Sequence, residues 1–133
     1  EQQVLGFNYR LTDIQAALGI SQLNRLNSFV DKRRKIAQRY FNELNNIDLP
    51  FQHKDSNSSW HLFVVQIKNR KAIYERLREL GILSQVHYIP VSMQPFYNQS
   101  LLNNSGNFYK HCLSLPIYPS MSEEDQTKVI TSL

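Results

Sequence analysis

Gly6-Phe7-Asn8-Tyr9-Arg10-Leu11-Thr12-Asp13-Ile14-Gln15-Ala16-Ala17-Leu18-Gly19 is the stretch on which the reading of the chain turns. A short polar segment runs straight into a helix. Gly6 and Asn8 tolerate unusual backbone angles, so a sharp bend is expected there. Thr12 is a good N-cap, and Gln15, three residues on, completes a capping box. Free backbone N–H groups and the helix dipole at such an end favour an anion. Asn8 and Arg10 add side-chain donors beside it. The stretch reads either as an anion site or as a well-capped helix with a solvated turn.

The helical pattern continues well past this cap. Apolar or small residues recur at Gly19, Leu23, Leu26, Val30, Ala37, Tyr40 and Leu44, with Arg33 the one break in the spacing. Ile14, Leu18, Phe29, Ile36 and Phe41 widen the stripe, and no proline interrupts it before Pro50. A single helix over residues 12 to 46 is expected, about 50 Å long at 1.5 Å per residue. A domain of this size is only about 35–40 Å across. The helix must therefore bend, with Gly19 the expected point, or project beyond its own domain. A projecting apolar half needs a partner, either another domain or another subunit.

Composition fits that picture. The 133 residues suit one domain, and 41% hydrophobic with 20% charged content reads as ordinary globular protein. No apolar run approaches the roughly 20 residues of a membrane helix. The chain opens at Glu1, mid-pattern, and is expected to be a segment or processed product of a longer protein. Cys112 is the sole cysteine, which excludes an internal disulfide, fits a reducing cytosol and reads as a small buried hydrophobe. A net charge of +4 permits an anionic ligand without demanding nucleic acid. The basic run Lys32-Arg33-Arg34-Lys35 is spread around a helix and reads as a solvated face.

Beyond the helix, residues 45 to 59 form a loop. Trp60-His61-Leu62-Phe63-Val64-Val65-Gln66-Ile67 reads as a strand covered on both faces. Residues 70 to 80 read as a helix stopped by Gly81, and 82 to 88 as a second strand. Pro90 and Pro95 bound an irregular segment rich in Met, Gln and aromatics. Residues 101 to 106 read as a polar turn, 108 to 112 as a short helix, and Leu113-Ser114-Leu115-Pro116 as an edge strand because of its proline. Ser122 caps a last helix with an acidic first turn.

Self-contained catalytic sets are missing from this pattern. Histidines stand at 53, 61, 87 and 111, none at close metal-ligand spacing to another. There is no nucleophile elbow, phosphate-cradling glycine loop or dinucleotide fingerprint. His61 falls inside the expected strand as a core or edge histidine. His87 ends the next strand before the Pro90 loop, where a side chain can face a cleft.

Four stretches then add up. Gly6-x-Asn8-x-Arg10 followed by Ala16-Ala17-x-Gly19-x-x-Gln22-Leu23 resembles a pattern of the DegT/DnrJ/EryC1/StrS family of sugar aminotransferases. Trp60-His61-Leu62-Phe63 is similar to the family's aromatic-His-Leu strand. Gly81-Ile82, His87-Tyr88-Ile89-Pro90 and Gln94-Pro95-Phe96-Tyr97 are similar to its His-Tyr-x-Pro segment. Leu113-Ser114-Leu115-Pro116-Ile117-Tyr118-Pro119 with Met121-Ser122 resembles its closing signature. The likeness spans residues 3 to 132. Within the family it is nearest to the branch that aminates a UDP-4-keto-6-deoxy-sugar in pseudaminic acid biosynthesis. Ser92 departs from the pattern, where many relatives carry His, so no substrate contact is transferred to it.

The resemblance implies an α+β fold: a long N-terminal helix, then a small sheet of about three strands with helices packed on one side. Residues 1–46 would be the interdomain turn and linking helix, and 47–133 the small C-terminal domain of a fold-type I enzyme. The large domain, with the Schiff-base lysine for pyridoxal 5'-phosphate, would lie outside this chain, which alone should be inactive. The implied reaction moves an amino group from an amino acid, glutamate by expectation, to a 4-keto-6-deoxy nucleotide-sugar for cell-surface glycans. The implied setting is a cytoplasmic homodimer, with no nucleic-acid or membrane partner and no metal. Asn8 would reach the phosphate of the partner subunit's cofactor. Arg10, His87, Tyr88, Met93 and Gln94 would meet substrate. The alternatives are a dehydratase or non-catalytic relative of the same fold, and a basic helical nucleic-acid-binding module.

Overall fold

The computed structural model describes residues 3–97 and 103–133. Its elements in order are α1 (Asp13–Leu23), α2 (Leu26–Glu43), β1 (Phe63–Gln66), α3 (Arg70–Glu79), a 3-10 turn (Val91–Met93), α4 (Asn103–His111), β2 (Cys112–Leu115) and α5 (Glu123–Thr131).

The capping box at Thr12 is present: its hydroxyl accepts from the Gln15 N–H, and the Gln15 side chain accepts from the Thr12 N–H at 2.9 Å. The single long helix is not. It breaks at Asn24 and Arg25, where the Arg25 N–H reaches back three residues to the Gln22 carbonyl at 3.0 Å. Gly19, the expected point, stays helical within α1.

Helix α3 closes with a Schellman motif. Gly81 sits at φ +75°, its N–H donates to Arg78 at 2.9 Å, and the Ile82 N–H donates to Leu77 at 2.8 Å. Leu77 and Ile82, brought together by this turn, are both buried. Ser122 caps α5 by accepting from the Asp125 N–H at 3.0 Å.

Strands β1 and β2 pair antiparallel, from Phe63 opposite Leu115 to Gln66 opposite Cys112. The expected third strand shrinks to one bridge, Gln85 opposite Ser114. The chain kinks after Gly81, with the Ser84 N–H donating back to Ile82 at 3.1 Å, so only Gln85 lines up with its neighbour. β2 is therefore central, not an edge: Pro116 lies just past its last paired residue, where the missing N–H costs no ladder bond. All four β2 residues are buried, whereas β1 alternates, with Phe63 and Val65 buried and Val64 and Gln66 half-buried. β1 starts three residues late because Trp60 takes a left-handed φ of +49°, and His61 falls outside it, exposed. Helix α4 begins at Asn103, so 103 to 106 are helical where a turn is expected; 101 and 102 lie outside the described residues.

The core joins Ile36, Ala37, Tyr40 and Leu44 of α2 and its end to Phe63 and Val65 of β1, Leu113 and Leu115 of β2, Leu77 and Val129. Gln126 of α5 is buried and donates to the Ile36 carbonyl at 2.8 Å, tying α5 to α2. Tyr40 is fully buried and donates to the Pro116 carbonyl at 2.8 Å. Burial raises its hydroxyl well above the ordinary value of 10.0, because the phenolate would lose its water. The stability linked to that proton is whole below the unfolded value near 10.0 and is lost as pH rises from there through the folded value. Tyr40→Phe is expected to cost about 1 kcal/mol near neutrality and to flatten the alkaline decline. Urea unfolding near neutrality and in the alkaline range checks both limbs.

Candidate functional site

The N-terminal arm presents the first group of candidates. Every described residue from Gln3 to Ser28 is exposed, including Phe7, Tyr9, Leu11 and Ile14. Asn8 and Arg10 lie on this arm and make no hydrogen bond to other described residues. The expected bend at Gly6 and Asn8 does not occur: the chain bends only at Val4, and Gly6 keeps an ordinary negative-φ backbone. The helix end itself is a poorer anion site than its sequence suggests. Its capping box already engages the Thr12 and Gln15 N–H groups, and Asp13 places a carboxylate in the first turn. What the arm offers an anion is the Asn8 amide and the Arg10 guanidinium.

The second group sits at the far edge of the sheet. Gln85 and Ser114 form a pair that exchanges both backbone bonds, at 3.1 and 2.7 Å. Residues two apart on a paired segment share a face, so His87 stands diagonally over Ser114. Its Nδ1 lies 2.9 Å from the Ser114 Oγ. The His87 ring is half-buried and packs against the Tyr88 ring at 4.7 Å between centroids. Tyr88 is 70% exposed, and Val91, Met93, Phe96 and Tyr97 after it also show apolar surface. Residues 88 to 97 thus form a half-wall of aromatic and apolar groups, with Gln94 half-buried among them. The structure keeps His87 and Tyr88 together and leaves Asn8 and Arg10 on a separate element. No described hydrogen bond or ring contact links these two pairs.

Arg33 is the residue that sequence reasoning missed. Its Nη1 donates to the carbonyls of Trp60, His61 and Ile117 at 3.2, 3.0 and 2.9 Å. Arg34 likewise donates to Ser58 at 3.0 Å, and Arg39 to the Glu123 carbonyl at 2.9 Å and to the Thr127 hydroxyl at 2.7 Å. The expected solvated face is in part an internal clamp. The only hint was Arg33 itself, a cation interrupting an apolar stripe. A cleft of about 580 Å³ opens beside it, lined by Arg25, Phe29, Lys32, His61 and Pro119 among others.

Pyridoxal phosphate has two ends to satisfy. The exposed amide of Asn8 and guanidinium of Arg10 suit its phosphate. An imine-forming lysine needs enclosure, and all seven lysines of this chain are exposed. The residues present fit the phosphate end alone. Cys112 is buried, and burial pushes its thiol up, so it stays protonated near neutrality as a packing group. No cluster of metal-binding side chains occurs among the described residues. No described helix is long and apolar enough to cross a membrane.

Comparison with known proteins gives a consistent result. The model of the DegT/DnrJ/EryC1/StrS aminotransferase family matches residues 1–133. The spore coat polysaccharide biosynthesis protein SpsC of Bacillus subtilis is 38% identical over 96% of this chain and 37% of its own length. Helicobacter pylori PseC, an aminotransferase involved in the biosynthesis of pseudoaminic acid, superposes with a TM-score of 0.84 at 30% identity, covering 99% of this chain and 38% of that one. DesV of S. venezuelae, solved with a ketimine intermediate, gives 0.85 at 31% identity, with 98% and 38% covered. The chain thus spans little more than a third of the length of these relatives.

Proposed function

The chain belongs to the DegT/DnrJ/EryC1/StrS aminotransferase family, and from this premise we propose that it is the C-terminal part of a pyridoxal-phosphate-dependent sugar aminotransferase. The substrate is a 4-keto-6-deoxy nucleotide-sugar, the donor an amino acid such as glutamate, and the product serves cell-surface glycans. Residues 1–46 link the domains, and 47–133 form the small domain. The large domain with its lysine is supplied by the rest of the protein, and two such proteins pair in the cytoplasm.

The observation that carries this reading is the bare N-terminal region. From residue 3 to 28 nothing is buried, yet Leu5, Phe7, Tyr9, Leu11, Ile14 and Leu18 are each more than 60% exposed. An apolar surface of this extent marks an interface. Cover by the large domain and by a second subunit would also bring Asn8 against a neighbouring site.

When bound, pyridoxal phosphate supplies the electron sink that amino transfer requires. This chain's residues bind and orient around it. The Asn8 amide donates to the phosphate, and Arg10 braces the arm or pairs with the nucleotide-sugar's charge. Tyr88 and Met93 give the sugar an apolar wall, and His87 and Gln94 give it polar partners.

The test is a half-reaction. The chain alone, and the longer protein that contains it, are mixed with cofactor and glutamate while the visible spectrum is followed. Turnover by the longer protein only is expected. Cofactor binding without transamination would favour the dehydratase or non-catalytic reading. No binding by either would remove the proposal. In the longer protein, Asn8→Ala is expected to weaken cofactor binding about 10-fold through one lost charge-assisted bond. An absorbance titration reads this, and unchanged affinity would take Asn8 out of the site.

A further inference from the structure

We propose that Ser114 is a positioning residue, which fixes the tautomer of His87 so that the ring presents Nε2–H to the substrate. The inference rests on the reading of His87 as a cleft residue and adds to it the group that sets its hydrogen-bonding sense.

Ser114 lies at the centre of the sheet and is 4% exposed. Its backbone N–H and carbonyl are both engaged by Gln85. Its hydroxyl contacts the His87 Nδ1 at 2.9 Å, and no other acceptor for its proton is seen among the described residues. A buried hydroxyl has one proton to donate, and leaving it without an acceptor is costly. If Nδ1 carried the proton, Ser114 would accept and its own proton would be stranded in the core. If Nδ1 is bare, Ser114 donates to it and every group is satisfied. The second arrangement puts the ring proton on Nε2. His87 then meets the cleft as a donor, suited to a sugar hydroxyl or phosphate oxygen.

The geometry also fixes orientation. His87 follows Gln85 by two residues on the same face, so the pairing of Gln85 with Ser114 sets how far the ring stands from the hydroxyl. The Tyr88 ring packs against the imidazole at 4.7 Å. One hydrogen bond and one ring contact thus hold a half-buried side chain in a single pose.

The test uses the longer, cofactor-loaded protein with nitrogen-labelled histidine. Long-range proton–nitrogen correlation should show His87 as the Nε2–H tautomer, and Ser114→Ala should turn it into a mixture. The same variant should raise KM for the nucleotide-sugar about 3- to 10-fold, with little change in kcat. His87→Gln keeps an N–H donor near the Nε2 position without needing Ser114. In that background Ser114→Ala should add nothing further, since a residue acting through another is not additive with it. An Nδ1–H tautomer in the parent protein, or a tautomer unmoved by Ser114→Ala, would overturn the positioning role even if His87→Gln changes KM. A shifted tautomer with KM unmoved in both single variants would overturn the cleft reading of His87, and the proposal with it.

Discussion

Phe63→Ala is expected to lower the unfolding free energy by about 3–5 kcal/mol. Phe63 is fully buried on β1. Its ring meets Tyr40 at 5.0 Å, Phe41 at 5.1 Å and Trp60 at 5.5 Å between centroids, so one side chain joins α2, β1 and the loop before β1. Truncation removes the burial of a whole ring and leaves a cavity that three rigid neighbours cannot fill. The three lost ring contacts are part of that total, not an addition to it. A domain stable by about 5–15 kcal/mol loses a large fraction of its margin. Phe63→Leu keeps most of the volume and should lose less than half as much. Urea unfolding followed through Trp60, the only tryptophan, reads the change directly. A loss under about 1 kcal/mol would mean that the aromatic cluster does not hold the core. Phe63 pairs with Leu115, next to Ser114, so the same loss should loosen the platform under His87.

What could be read from the residues was mostly local. The capping box at Thr12, the Gly81 stop and the Ser122 cap each depend on a few adjacent residues, and all are present. The break at Asn24 and Arg25 was hidden because the apolar stripe continues through it on both sides. In α1 that stripe points away from any core in this chain, so its pattern could not show that two helices share it. Pro116 marked β2 as an edge by a rule about the missing N–H, yet the rule acts only on residues inside the ladder. The half-wall from 88 to 97 was legible as an unusual composition between two prolines. The contact of His87, just before it, with Ser114 was not, because Ser114 comes opposite Gln85 only through strand register. The basic run misled for a similar reason: the acceptors of Arg33 and Arg34 lie far along the chain, at 58, 60, 61 and 117.

Arg33→Met is the second large effect, expected at about 2–3 kcal/mol. Arg33 is half-buried, and no carboxylate lies within ion-pair distance of it among the described residues; three carbonyls take the place of a counter-ion. Nη1 has two hydrogens for those three acceptors, so one is shared. Removing it leaves the partly buried Trp60 and Ile117 carbonyls without a donor, while the exposed His61 carbonyl can turn to water. The loss spreads further, because Trp60 sits at φ +49°, where a bulky residue is strained. The bonds from Arg33 help hold that backbone, and with it the indole against Phe41 at 5.3 Å. Arg33→Met should therefore lower stability and also shift Trp60 emission to the red in the folded state, before any unfolding. Arg33→Lys should rescue little, since a compact ammonium on a shorter reach cannot span the loop and the Ile117 carbonyl together. Folded-state emission identical to the parent would show that the aromatic packing alone holds Trp60, and that the clamp follows from the loop's shape without fixing it.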